Sequence, residues 1–162
     1  MNTFAKIPAE EITIRWMIRR DMPAVEGIEE AAFPFQWSEE DFIRCLRQRN
    51  CMGMVAEHQF NVVGFMIYEL HRNRLHVLNF AVHFKYQRRG IGSAMVQKLI
   101  SKLSPSRRDR IMLEVRERNV AAQMFFRSQG FRAVSLLRDF YEDSPGEDAY
   151  LMQYRCTSKV TA

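Results

Sequence analysis

Apolar positions along this chain change their period several times, and each change marks an element. Ile12 to Ile18 alternates apolar and polar residues, the period of a half-buried strand. Asp21 and Pro23 open a helix whose apolar face is Met22, Val25, Ile28 and Ala32. Phe33-Pro34-Phe35-Gln36-Trp37 is an aromatic loop. It is closed by Ser38 as N-cap of a second helix, with Glu39, Glu40 and Asp41 in its first turn and Phe42, Cys45, Leu46 and Arg49 behind them. Cys51 to Glu57 and Val62 to Leu70 read as a hairpin around Gln59-Phe60-Asn61, and Leu75 to His83 as a further strand. Ile91, Met95, Leu99 and Leu103, with Val96 and Ile100 beside them, form the strongest stripe and predict a helix ended by Ser104-Pro105. Ile111 to Val115 is a short strand interrupted by Glu114, and Asn119 to Gln129 is a helix stopped by Gly130. Phe131 to Tyr141 and Asp148 to Tyr154 predict two closing strands around an acidic loop. With no repeat or linker, one mixed α/β layer structure accounts for the pattern. Residues 1–11 are expected to be a loose lead-in, 12–156 one domain and 157–162 a tail.

Composition narrows the function. With 162 residues, 47% of them hydrophobic and 27% charged, the chain is long enough to bury a core without staples. A net charge of +5 favours a polyanionic ligand or a nucleic-acid-rich neighbourhood, without choosing between them. Cys45, Cys51 and Cys156 are odd in number and lack metal-ligand spacing, so a reducing compartment and no metal are expected. No leader pattern opens the chain and no apolar run is long enough for a membrane helix, which points to the cytoplasm.

Candidate chemistry concentrates at Gln87-Arg88-Arg89-Gly90-Ile91-Gly92, between a strand and a helix. Glycines let the backbone turn sharply, and the amides of a helix N-terminus point outward together, which suits a phosphate group. Arg88 and Arg89 add forked cationic donors. The glycine spacing alone leaves open an ordinary turn with solvated arginines. A Walker loop is excluded because no Gly-Lys-Ser/Thr follows, and the dinucleotide fingerprint because Met95 stands where its third glycine belongs.

Asn79-Phe80-Ala81-Val82 with Tyr86-Gln87-Arg88-Arg89-Gly90-Ile91-Gly92, Leu113-Glu114-Val115-Arg116 followed by Asn119, the Phe33-Pro34 and Trp37-Ser38 pairs, and Glu147-Asp148-Ala149 together resemble the GNAT N-acetyltransferases. The likeness runs from about Ile12 to Tyr154. It implies an α/β (α+β) fold with a central mixed, mostly antiparallel sheet of about seven strands and about four helices. It also implies acetyl-CoA as cosubstrate, lying against Phe80, Ala81 and Val82, with its pyrophosphate on the backbone of Arg88, Arg89, Gly90, Ile91, Gly92 and Ser93 and its pantetheine arm bonded to Asn119. The further arginines at 72, 74, 107, 108 and 110 are read mostly as solvated surface.

The same resemblance implies transfer to the N-terminal α-amine of a protein, the N-terminal alanine of a small-subunit ribosomal protein, in a ternary complex. A small-molecule amine as acceptor, or a CoA-binding protein with weak catalysis, are the alternatives. An α-amine has a pKa of about 7.7 to 8.0, whereas deprotonating a lysine near neutral pH costs roughly 3 kcal/mol more, so the demand on the base is modest. Glu114 is the candidate general base through the family pattern; periodicity alone would let it face solvent or pair with Arg116. A backbone N–H near Ala81 or Val82 would polarise the carbonyl.

One position departs from the family. Where relatives carry a tyrosine twelve residues beyond the glutamate, this chain has Phe126, which holds no proton to give. Tyr141 is the substitute acid by weak preference, with Tyr68, water or unassisted departure as alternatives. Phe35, Trp37 and Tyr141 are expected to line the acceptor groove, whose lips, Phe33 to Ser38 and Glu142 to Asp148, carry or adjoin acids suited to a basic peptide. The acids can equally cap a helix and solvate a turn. A monomer is expected, with no direct nucleic-acid recognition and no membrane partner.

Overall fold

Seven strands make one sheet in the order β1-β2-β3-β4-β5-β7-β6 in the computed structural model, which describes residues 5–156. They are β1 (Thr13–Trp16), β2 (Cys51–His58), β3 (Asn61–Leu70), β4 (Arg74–Val82), β5 (Arg110–Arg116), β6 (Arg132–Leu137) and β7 (Ala149–Arg155). The helices are α1 (Met22–Ala32), α2 (Glu39–Leu46), α3 (Ile91–Ile100) and α4 (Val120–Ser128). Pairing is antiparallel for β1–β2, β2–β3, β5–β7 and β6–β7, and parallel for β4–β5. This is the mixed, mostly antiparallel sheet that the family resemblance implied. None of the described helices is long and apolar enough to cross a membrane.

By contact density the chain falls into two compact units. The first holds residues up to Glu69 together with Asn79–Leu99; the second holds Leu70–Leu78 and everything from Ile100. β4 therefore contributes its first half to the second unit and its last half to the first.

In the first unit, the β2–β3 hairpin turns at Gln59 and Phe60, both with positive φ, and Phe60 is fully solvent-facing. The central strands bury Met54, Val55, Phe65, Met66, Ile67 and Tyr68 almost completely, which makes this hairpin the core of the unit. Gly64 lets α3 approach closely: a Cβ there would lie 3.0 Å from Met95 Sδ and 3.3 Å from the Ala81 carbonyl oxygen. The Ser38 hydroxyl accepts from the Asp41 amide while the Asp41 carboxylate accepts from the Ser38 amide, a reciprocal cap that starts α2 where the acidic first turn predicted.

Several boundaries differ from the sequence expectation. α2 ends at Leu46, so Arg49 lies beyond it, and α3 ends at Ile100, before Leu103. β6 ends at Leu137, leaving Phe140 and Tyr141 in the following loop rather than in a strand. The chain leaves strand geometry there: Asp139 takes a positive φ, its amide donates to the Asp148 carboxylate, and its own carboxylate accepts from Gly146. The lead-in is not loose from residue 5 onward. Ile7 is buried, its amide donates to the Arg89 carbonyl at 2.9 Å, and Arg89 Nε donates to the Ala5 carbonyl. Burial of one isoleucine and two bonds to the turn before α3 are what tether it. Residues 1–4 and the expected tail, 157–162, lie outside the described residues.

A partly buried ion pair fixes β1 to the start of α1. Arg15 donates from both terminal nitrogens to Asp21, at 2.7 and 2.8 Å, and to Glu57, while the Ile18 amide also donates to Asp21. The Arg15 guanidinium foremost, helped by the Ile18 amide, holds the Asp21 carboxyl below the usual carboxylate range against the opposing effect of burial. Asp21→Ala should destabilise the protein by about 2–3 kcal/mol, a Tm loss of about 4–12 °C by calorimetry. The folded-state value is depressed, so this stabilisation is present above the unfolded value of about 4 and is lost as pH falls through the folded one. Asp21→Asn should accordingly flatten the acid limb of the stability curve.

Candidate active site

The turn before α3, expected to hold an anion, lies in the first unit. Arg88 and Gly90 both take positive φ, 62° and 94°, with Arg89 between them. Reversals at alternate residues turn the backbone sharply, the kind of bend at which neighbouring amides can face one side. Ala94 donates to the Gly90 carbonyl, and among the described residues the amides of Arg88, Gly90, Ile91 and Gly92 meet no protein acceptor. Ile91 is fully buried and anchors the start of α3 in the core of the unit. The two arginines separate in role: Arg89 is bonded to Ala5 and lies 5.5 Å from the Tyr86 ring, while Arg88 is exposed with no protein partner among the described residues. Ser93 stands in the first turn of α3.

Of the strand residues expected beside the donor, Ala81 is buried and Phe80 and Val82 are half-buried. Asn79 on the same strand donates to the buried Glu29 at 2.8 Å, and Glu29 accepts the Trp37 amide at 2.9 Å. Burial pushes the Glu29 carboxyl up, opposed by these two bonds. The aromatic loop is thereby tied to α1 and β4 through one carboxylate, a connection the sequence did not disclose. Trp37 packs against Phe42 with ring centroids 5.2 Å apart, and Phe35 stays half exposed.

Glu114, the expected base, meets a histidine in the second unit. The β4–β5 ladder comprises Arg74–Arg110, Leu75–Ile111 and His76–Met112. Side chains two apart share a face, so Glu114 lies one step beyond Met112 on the face that carries His76. His76 Nε2 sits 2.9 and 2.8 Å from the two carboxylate oxygens. An ionised carboxylate can only accept, so in that state Nε2 carries the proton. Both side chains are about one-fifth exposed, shielded yet reachable by solvent. The alternative of a Glu114–Arg116 pair is not what forms.

Arg116 instead organises the loop after β6. It donates to both Asp143 oxygens, at 3.0 and 2.8 Å, and to Glu147 at 3.2 Å, and its guanidinium lies 3.7 Å from the Tyr141 ring centroid. Burial chiefly pushes the Tyr141 hydroxyl up to about 12, with nearby Glu114, Glu147 and Asp143 adding to it and Arg116 opposing. One guanidinium thus offsets a single charge of the four acids on this lip, which stays net negative. Asp143 and Glu147 answer Arg116, Asp148 accepts the Asp139 amide, and Glu142 remains without a protein partner among the described residues. On the other loop Asp41 serves the α2 cap, leaving Glu39 and Glu40 outward.

Phe126 is 7% exposed and packs edge-on against Phe125 and Phe131, with centroids 5.1 and 5.3 Å away. It contributes packing and carries no proton donor. The Asn119 carbonyl oxygen caps α4 by accepting the Ala122 amide, which leaves its amide nitrogen for a ligand. Tyr68 is almost fully buried in β3 and pushed up to about 12 by burial. Cys45 and Cys51 are free thiols 2.8 Å apart that burial also pushes up, the opposite of an activated nucleophile.

The chain belongs to the acetyltransferase (GNAT) family, whose model matches residues 18–131. Among characterised relatives it is similar to the [ribosomal protein bS18]-alanine N-acetyltransferase of Escherichia coli strain K12, with 32% identity over 86% of this chain and 95% of that one. An N-alpha-acetyltransferase of Sulfurisphaera tokodaii is 30% identical over 88% of this chain and 92% of the relative. The crystal structure of the ribosomal-protein-S18-alanine N-acetyltransferase from Escherichia coli superposes with a TM-score of 0.80 at 28% identity, covering 93% of this chain and 98% of that one.

Proposed function

We propose that this protein transfers the acetyl group of acetyl-CoA to the N-terminal α-amine of a protein, with the N-terminal alanine of a small-subunit ribosomal protein as the favoured acceptor. The observation that carries the reading is the Glu114 carboxylate held by His76 in a chain that matches N-terminal acetyltransferases over most of its length.

The donor's pyrophosphate fits the amides of Arg88, Gly90, Ile91 and Gly92, with Arg88 as the available cation. Transfer forms an N–C bond to the amine, breaks the C–S bond of the thioester and releases a proton from nitrogen. Glu114 takes that proton, directly or through water. His76 is a positioning residue: its Nε2 proton bridges both carboxylate oxygens and fixes the rotamer of Glu114. In this reading a backbone N–H at Ala81 or Val82 faces the carbonyl oxygen, and the Asn119 amide faces the pantetheine arm.

Tyr141 holds its proton throughout the neutral range. With a hydroxyl near 12 against an ordinary thiol near 8.5, complete transfer to the sulfur is uphill by roughly 5 kcal/mol. Its contribution is therefore a hydrogen bond to the departing sulfur, and protonation of the thiolate falls to water. Phe126 excludes solvent beside the aromatic cluster. Phe35 and Trp37 in the first unit and Tyr141 in the second are the aromatic residues offered to an acceptor, and the outward Glu39, Glu40 and Glu142 are the acids offered to a basic peptide.

A single assay of thiol release tests this reading with peptides beginning Ala-Arg, polyamines and aminoglycosides as competing acceptors. The expected result is a kcat/KM for the peptide larger by about 10² than for any small amine, the scale of discrimination a built pocket supplies. Preference for a small amine would remove the protein-acceptor assignment.

A further inference from the structure

We propose that the arginine-lined groove where β4 and β5 begin is a binding site for the phosphodiester backbone of RNA. Arg72, Asn73, Ser106 and Arg107 line a groove of about 700 Å³. Its lining offers two guanidiniums, an amide and a hydroxyl, and neither a carboxylate nor an apolar side chain. Arg72 and Arg107 are exposed and without a protein partner among the described residues. Forked guanidiniums with no competing acid select phosphate or carboxylate oxygens.

Charge concentrates here. Residues 71–74 and 104–110 contain arginines 72, 74, 107, 108 and 110 against the single acid Asp109, in a chain whose net charge is +5. Asp109 is itself occupied, 2.8 Å from Arg110 Nε and 3.7 Å from Arg155. The two turns bearing the arginines are clamped together: Asp109 donates its amide to the Asn73 carbonyl, and Arg108 Nε donates to the His71 carbonyl at 2.7 Å. The Ser104 amide closes its own turn on the Arg108 carbonyl. This spacing of Arg72 and Arg107 is therefore held by backbone.

Two guanidiniums carried on separate turns suit successive phosphates of a chain better than one ion. The groove also stands apart from the carboxylate, since Arg110 precedes Glu114 by four strand residues, about 13 Å. RNA held here leaves the chemistry of a free peptide untouched and would favour an acceptor presented on an RNA-bearing particle.

Fluorescence anisotropy of a labelled oligouridine, titrated with the full chain over a series of salt concentrations, tests the site. Arg72→Ala/Arg107→Ala should bind about tenfold more weakly near 0.1 M salt, with the slope of log K against log salt smaller by about 1.4, two single-strand phosphate contacts. Acetyl transfer to a short peptide should stay as in the wild type. Arg19→Ala/Arg20→Ala removes the same charge elsewhere and should keep most of the slope. Equal loss in that control would reduce the effect to net charge and overturn the proposal. So would an unchanged slope in Arg72→Ala/Arg107→Ala, arginine-dependent binding of polyglutamate in place of RNA, or full displacement of the RNA by equimolar inorganic phosphate, which would mark a lone-anion site.

Discussion

Glu114→Gln should lower kcat for acetyl transfer by about 10² to 10⁴ while leaving the KM values for acetyl-CoA and peptide within about threefold, the range general-base removal commonly spans. Glutamine keeps the shape and can still accept from His76, so folding is preserved and the lost element is proton acceptance. His76→Ala should cost less, about tenfold, because it frees the carboxylate's rotamer without removing it. The pair should be strongly non-additive: His76→Ala in a Glu114→Gln background should add almost nothing, since both act on one proton. Steady-state kinetics of the four proteins decide this. If Glu114→Gln retains a kcat within threefold of wild type, or if the two effects multiply, Glu114 is not the base that His76 positions.

Much of this architecture could be read before any coordinates, and the failures share a cause. Ser38, Asn119 and Gly130 marked helix ends because capping chemistry is local. The Gln87–Gly92 turn could be located for the same reason, as its glycines and flanking pattern lie within a few residues. His76 could not be singled out. It sits between Leu75 and Val77 like any strand residue, and its partner is 38 positions away. Only the register His76–Met112, with the two-residue period, would have placed it beside Glu114. The carboxylates at 142–148 are visible in the sequence, but the arginine that two of them share stands on β5, outside the loop. β6 was overextended because Phe140 and Tyr141 have strand propensity, and the Asp139 turn that ends the strand depends on Asp148. The lead-in was misjudged because the burial of Ile7 is a tertiary fact.

Gly90→Val should raise the KM for acetyl-CoA by at least about 30-fold, close to 2 kcal/mol, through loss of one or two charge-assisted bonds from the turn to the donor's pyrophosphate. At φ +94° Gly90 occupies a region that a β-branched residue enters only with strain, so valine must rotate the backbone and re-aim the amides of Gly90 and Ile91. The space around it is open, with the nearest atom to a new Cβ, the Ile7 carbonyl oxygen, 3.9 Å away, so the effect arises from dihedral angles rather than collision. Gly146→Val supplies the control. Gly146 has φ +84°, and nothing lies within 4 Å of its missing Cβ, but it belongs to the loop after β6. Both variants should lose stability, by about 1–2 kcal/mol, while only Gly90→Val should weaken donor binding. Isothermal titration with coenzyme A reads the difference directly. Equal coenzyme A affinity in the two variants would separate the Gly90 turn from the donor and return Arg88 and Arg89 to the role of solvated surface.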